Sequence, residues 1–108
     1  MNELASRVVT VFNVFTPKSE KFAEFVDLQN DALPTFRGKV PGLLGSRFYT
    51  SVESKTAVLM SVWEKLSDFE QFRDSEVFAV HRARLQTLLV RSDPGVYHLD
   101  YQAGSIDT

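Results

Sequence analysis

The chain has 108 residues, 44% hydrophobic and 24% charged, with a formal net charge of -2 and no cysteine. Such a length supports one domain, expected to span residues 1–108 with its core over about residues 8–101, and leaves no room for a second module dedicated to a cofactor. The charge balance provides no basic surface for nucleic acid. The missing thiols exclude disulfides, thiolate metal sites, iron–sulfur clusters and a cysteine nucleophile, and no run of about 18 apolar residues marks a membrane span.

Met1 to Arg7 lacks the basic-then-apolar pattern of an export signal, so the expected location is cytoplasmic. Residues 8–16 follow as a strand with apolar side chains at both parities: Val9, Val11 and Phe15 on one face, Val8, Phe12 and Val14 on the other. Asn13 interrupts this run. An amide buried without a partner costs roughly 1–3 kcal/mol, so Asn13 is either tied to a neighbour or kept to hold a ligand. Pro17 to Glu20 opens a helix in which Phe22, Phe25, Val26, Gln29, Leu33 and Phe36 recur at three- and four-residue spacing, with Pro34 limiting its end. After the loop Arg37 to Gly42, Leu43 to Val52 reads as a second strand. Thr56 to Glu64 reads as a third, again apolar on both faces.

Ser67 and Glu70 have the spacing of a capping box at the start of a helix, and Ser75 to Val90 continues as a longer one. Pro94-Gly95 is expected to break the pattern before a fourth strand at Val96 to Tyr101, and the polar tail 102–108 is expected to be flexible. The order β-α-β-β-α-β predicts an α+β, ferredoxin-like domain: a four-stranded antiparallel sheet with the helices on one face. Helices on one side leave Val8, Phe12, Val14, Val58, Met60 and Val62 uncovered, a patch larger than soluble monomers usually expose. A homodimer with its sheets face to face is therefore expected.

The space between sheet and helices is the natural place for chemistry, and Asn13, Trp63, Tyr49 and His98 are candidates to line it. On the last helix Phe78, Leu85 and Leu89 centre the apolar stripe, with His81 and Arg82 on its flanks. Each has a bland alternative: a hydrogen-bonded core histidine, an arginine that buries its stem and keeps its charge in water, a core indole. Arg37 and Lys39 stand where they could meet an anion at a pocket mouth. Gly38, Gly42 and Gly45 have neither dinucleotide nor phosphate-loop spacing, and no hydrolase triad is recognisable.

Val40-Pro41-Gly42-Leu43-Leu44-Gly45-Ser46-Arg47, Val62-Trp63-Glu64, Phe69-Glu70-Gln71-Phe72-Arg73 and the run Phe78 to Leu85 together resemble the antibiotic biosynthesis monooxygenase domain, over about Val8 to Tyr101. The resemblance implies a dimeric α+β barrel that oxygenates a small aromatic, anthrone- or quinol-like substrate with dioxygen, using neither metal nor other cofactor. It assigns catalytic roles to Asn13 and Trp63, which would bond or stack on the substrate, and to Arg82 and His81, as anion stabiliser and proton acceptor. Tyr49, Phe72 and Phe78 would contact the substrate. Anthrone-oxidising members carry an Asn four residues before the Trp; here that position is Leu59. Heme-degrading members of the superfamily supply a second reading: Asn13 fits their pattern, Phe72 replaces their helix Trp, and Arg82 stands where their ligating His aligns, with His81 one residue earlier. A third reading is a non-catalytic dimer that binds a small ligand.

Overall fold

The computed structural model describes residues 7–106. Along the chain lie β1 (Val9–Pro17), α1 (Phe22–Phe36), β2 (Leu43–Thr50), β3 (Ala57–Trp63), α2 (Leu66–Arg73), α3 (Glu76–Gln86) and β4 (Leu89–Tyr97). The strands form one antiparallel sheet in the order β2-β3-β1-β4, so the ferredoxin-like α+β arrangement expected from the sequence is the one found. The reading of Met1 to Ser6, and the last two residues of the expected tail, lie outside the described residues; residues 98–106 continue from β4 without helix or strand.

Parity decides the two faces as expected. In β1 the odd-numbered Val9, Val11 and Phe15 are buried towards the helices, while Phe12 and Val14 are exposed on the far face. Across the sheet Val9 pairs with Trp63, Val11 with Ser61, Asn13 with Leu59 and Phe15 with Ala57, so all of these point to the helix side. The core under the helices is in two parts. Phe15, Phe25, Ala57, Leu85 and Leu88 form one cluster, closed by the tilted rings of Phe15 and Phe25 at 5.2 Å. Val9, Val11 and Trp63 form the other, packed by Leu66, Phe69 and Phe72.

Several boundaries differ from the sequence reading: β2 ends at Thr50 instead of Val52, β4 ends at Tyr97 instead of Tyr101, and the helix ends shift. The helix expected from a Ser67–Glu70 capping box begins two residues earlier, with Lys65 instead of Ser67 at its N-cap and no side-chain cap, because Leu66 packs into the Trp63 cluster and draws the chain into the helix. Ser75 takes the capping role: its hydroxyl donates to the Phe72 carbonyl at 2.6 Å and accepts from the Phe78 N–H at 3.2 Å, ending α2 and starting α3.

The last helix stops at Gln86, and Leu89-Val90 enter β4, which runs through Pro94-Gly95 instead of beginning after them. An apolar run such as Leu88-Leu89-Val90 suits a buried helix end and a strand equally, and the unpaired edge of β1 decides for the strand. Pro94 is accommodated because β4 is an edge strand, where a missing N–H leaves no ladder bond unmade. Gly95 leaves room for the Tyr97 ring, which lies over it and meets Phe12 edge-on at 5.6 Å.

Phe25 has no solvent exposure and touches both Phe15 and Phe48. Phe25→Ala is expected to lower unfolding free energy by about 3–5 kcal/mol, read from the midpoint of urea denaturation.

Candidate functional site

Between the two core clusters lies a polar layer. Asn13 stands on the helix side of β1 between Val11 of one cluster and Phe15 of the other. On α1, Gln29 is one turn beyond Phe25; on α3, His81 is one turn before Leu85. Gln29 is fully buried and His81 is 7% exposed, and they hold each other: the His81 Nε2–H donates to Gln29 Oε1 at 2.8 Å. A carbonyl oxygen can only accept, so this bond selects the Nε2–H tautomer and leaves Nδ1 with its lone pair. Burial pushes the His81 pKa down, and the nearby Arg84 charge adds to the effect, so the imidazole is neutral near pH 7.

Two amide atoms of this layer have no partner: Asn13 Oδ1 and Gln29 Nε2. For Asn13 the register supplies the reason. Its neighbours across the sheet are Leu59 on one side and Pro94 on the other, and neither carries a side-chain donor.

The aromatic wall of the layer runs from Trp63 through Phe72 to Phe36 and His81, with ring centroids 5.5–5.6 Å apart. The Trp63 indole N–H donates to Ser61 Oγ at 2.9 Å, so this indole offers its ring rather than its N–H. Phe36 and Phe72 also line a cleft of about 360 Å³, together with Lys39, Val40, Asp68 and Ser75; Asn13, Gln29 and His81 do not border it. Asp68 Oδ2 is buried there without a partner, its carboxyl group occupying the space that a Cβ on Gly42 would need. A larger hollow of about 480 Å³ lies between the outer ends of α1 and α3, bordered by Glu24, Leu28 and Arg84, and touches none of the predicted site residues.

The structure thus brings Asn13, Trp63, Phe72 and His81 to one side of the sheet, with Phe78 against Phe72 at 5.2 Å. Tyr49 is not among them: it pairs with Val58 on the far face and is 46% exposed. Arg82 is exposed, its guanidinium over the Phe78 ring at 5.4 Å, outside the buried layer. His98 is also exposed, with Nδ1 3.3 Å from the Val8 carbonyl oxygen. Of the two loop cations, Lys39 borders the cleft. Gln29, Phe36, Ser61 and Asp68 were not singled out by sequence. For Gln29 the signal was present, since a glutamine in an apolar helical stripe raises the question that Asn13 raised in a strand.

At the position where heme-degrading members place their ligating histidine stands Arg82, which bears no lone pair for iron, while His81, one residue earlier, is buried against Gln29 and Phe36. Among the described residues no group of three His, Cys, Asp or Glu side chains stands close enough to hold a metal ion, and no helix is long and apolar enough to cross a membrane.

Because the folded pKa of His81 lies below its ordinary 6.5, the unfolded chain takes up the proton first on acidification. The stability contributed by neutral His81 is complete above about pH 6.5 and is lost as pH falls towards the folded value. Denaturant titrations at pH 7.5 and 5.5 should therefore show a larger loss of stability for the wild type than for His81→Gln, which cannot titrate.

No curated protein matches the chain, whereas many solved structures share its fold. SnoaB of Streptomyces nogalater, described as a cofactor-independent oxygenase, superposes with a TM-score of 0.80 at 21% identity over 92% of this chain and 99% of its own. Rv0793 of Mycobacterium tuberculosis gives 0.76 at 20% identity over 90% and 99%. PA3566 of Pseudomonas aeruginosa gives 0.75 at 15% over 89% and 98%. The sequence model described as antibiotic biosynthesis monooxygenase matches residues 8–84, from β1 through most of α3, and so takes in every residue of the polar layer and the buried core apart from Leu85 and Leu88. The chain belongs to the antibiotic biosynthesis monooxygenase family.

Proposed function

We propose that this protein is a cofactor-independent monooxygenase that oxidises a flat aromatic, anthrone- or quinol-like substrate with dioxygen. The observation that carries the reading is the polar layer buried between sheet and helices, with an unpartnered amide oxygen on Asn13 and a neutral imidazole on His81 beside an aromatic wall. Family membership supports the reaction type. The likeness to SnoaB supports the absence of a cofactor.

In this reading the substrate enters through the cleft over Phe36 and Phe72 and lies along the wall of Trp63 and Phe72. Asn13 orients it through a hydroxyl donated to Oδ1. His81 takes a proton from the activated carbon or hydroxyl, which its neutral state permits. For an anthrone, the resulting anion gives one electron to dioxygen, and the radical pair recombines to form a carbon–oxygen bond. The hydroperoxide then loses water and leaves a carbonyl. One oxygen atom stays in the product and the other leaves as water with both hydrogens of the original methylene. The protein's part is to bind the flat ring, favour its anion and exclude water. Arg82, exposed at the rim over Phe78, would draw an anionic substrate towards the cleft without touching it in the core.

The far face of the sheet is proposed as a homodimer interface. Phe12 and Val14 are each 38% exposed there, and Tyr49 and Tyr97 extend the same apolar surface. A second copy packed face to face on a two-fold axis would bury this apolar surface on both chains.

Oxygen uptake by chelator-treated protein, measured above autoxidation on anthrones, naphthols and hydroquinones, tests the activity. Uptake should survive chelation, fall about 10²-fold or more in His81→Gln and fall at least about tenfold in Asn13→Ala. No protein-dependent uptake on the whole panel would overturn the reading. Sedimentation should give about twice the chain mass of 12.2 kDa, and Val14→Lys should return the mass to that of one chain.

A further inference from the structure

The cleft of about 360 Å³ beside α1 and α2 holds a carboxylate that the protein leaves unpaired. Asp68 is half-buried, its Oδ2 is sealed from water, and no donor of the protein reaches that oxygen. Its seat is built by Gly42, whose φ of +82° suits glycine and whose missing Cβ leaves the space that the carboxyl group fills. A first-turn aspartate that served only the dipole of α2 would do so from solvent, with both oxygens hydrated. Lys39 borders the same cleft with an exposed side chain, yet among the described residues no ion pair joins it to Asp68. Phe36, Val40, Phe72 and Val77 give the cleft apolar walls.

We propose that this cleft binds a small apolar molecule carrying both an ammonium and a carboxylate, of the chemical class of the aromatic amino acids. The ammonium meets the Asp68 carboxylate, the ligand's carboxylate meets Lys39 Nζ, and the ring lies against Phe36 and Phe72. Negative charge is shared by both oxygens of Asp68, so a cation approaching from the cleft offsets the poor solvation of the sealed one. A simple amine would bring a second cation beside Lys39, and a simple acid would meet the charge of Asp68; a molecule with both groups matches both. The volume lies at the small end of ligand pockets, which run from roughly 300 to 1,000 Å³. Bound there, the molecule would stand in the entrance drawn above for the oxygenase substrate, but the cleft is bordered by neither Asn13 nor His81 and the inference is independent of the oxygen chemistry.

Backbone-amide NMR shifts of isotope-labelled protein, titrated without any oxygenase substrate, report both affinity and place of binding. The probes are phenylalanine, which carries both charges, phenethylamine, which has the ammonium alone, and phenylpropionate, which has the carboxylate alone. Asp68→Asn keeps the shape that sits on Gly42 and removes the charge. Lys39→Gln removes the other charge from an exposed side chain, and it carries the test if the Asn variant does not fold.

Phenylalanine should shift the amides of Phe36, Lys39, Asp68 and Phe72 and bind at least about tenfold more tightly than either singly charged probe. Asp68→Asn should weaken phenylalanine and phenethylamine about tenfold or more and leave phenylpropionate binding no weaker. Lys39→Gln should show the reverse pattern, weakening phenylalanine and phenylpropionate and sparing phenethylamine. Equal loss for all probes in Asp68→Asn would make Asp68 a packing residue and overturn the proposal, as would no loss, or no shifts in the cleft of the wild type. Tighter binding of phenethylamine than of phenylalanine would mean an amine site without Lys39, and would overturn the ligand class. Selective binding with no oxygen uptake would leave this inference standing and remove the monooxygenase; uptake without binding in the cleft would do the opposite.

Discussion

The structure depends on the register of β1. It is hydrogen-bonded on both sides, to β3 and to β4, and those pairings decide which of its two apolar faces lies under the helices. A slip of one residue would turn Val9, Val11 and Phe15 to the outside and bring Phe12 and Val14 beneath α1, with no matching ring at Phe25 to receive them. The register places Trp63 beside Val9 and Ala57 beside Phe15, a large side chain at one end of the sheet and a small one at the other. The two core clusters follow from that difference. Phe25 fills the space above Ala57, whereas Trp63 fills its own end and collects Phe69 and Phe72 around it.

The polar layer is the consequence of dividing the core. Asn13, Gln29 and His81 sit where neither cluster reaches, and only one bond, from His81 to Gln29, is made among them. Each amide atom left without a partner costs about 1–3 kcal/mol relative to one that is paired, so the layer is a local weakness in an otherwise consistent design. Such weaknesses concentrate where a protein binds something. His81 is buried enough to stay neutral, with its ring fixed by Phe36 on one edge and by Gln29 at Nε2. That combination orients an imidazole without charging it.

Shape has outlasted sequence in this fold. The solved structures that superpose on the chain at TM-scores of 0.76 and 0.80 share 20% and 21% of their residues with it. What is shared at that distance is the fold, a sheet with helices on one face. Different side chains projecting into the space between sheet and helices can then serve different substrates on one scaffold. In this chain Leu59 lies directly across from Asn13, so the strands present one amide to that space, and the second amide comes from α1.

Much of this was legible in the chain. Apolar side chains at both parities in residues 8–16 and 56–64 established two-faced strands, the element order named the ferredoxin-like arrangement, and the polar interruption at Asn13 marked a buried amide in the central strand, because periodicity and burial cost are local properties. Where the chain was ambiguous, partners settled the matter. Leu88-Leu89-Val90 suits helix or strand until β1 offers an open edge, and Pro94 breaks a central strand but not an edge one. Tyr49 and Trp63 are both aromatic strand residues, and only the pairing with β3, offset by the irregularity between Leu43 and Gly45, sends Tyr49 to the far face. Gln29 reads as one polar residue in an amphipathic helix, and its meeting with His81, 52 positions away, exists only once α1 and α3 lie side by side on the sheet. Sequence by itself determined what each element would bury, since that depends on neighbours along the chain; tertiary structure decided which buried polar groups meet, since that depends on neighbours in space.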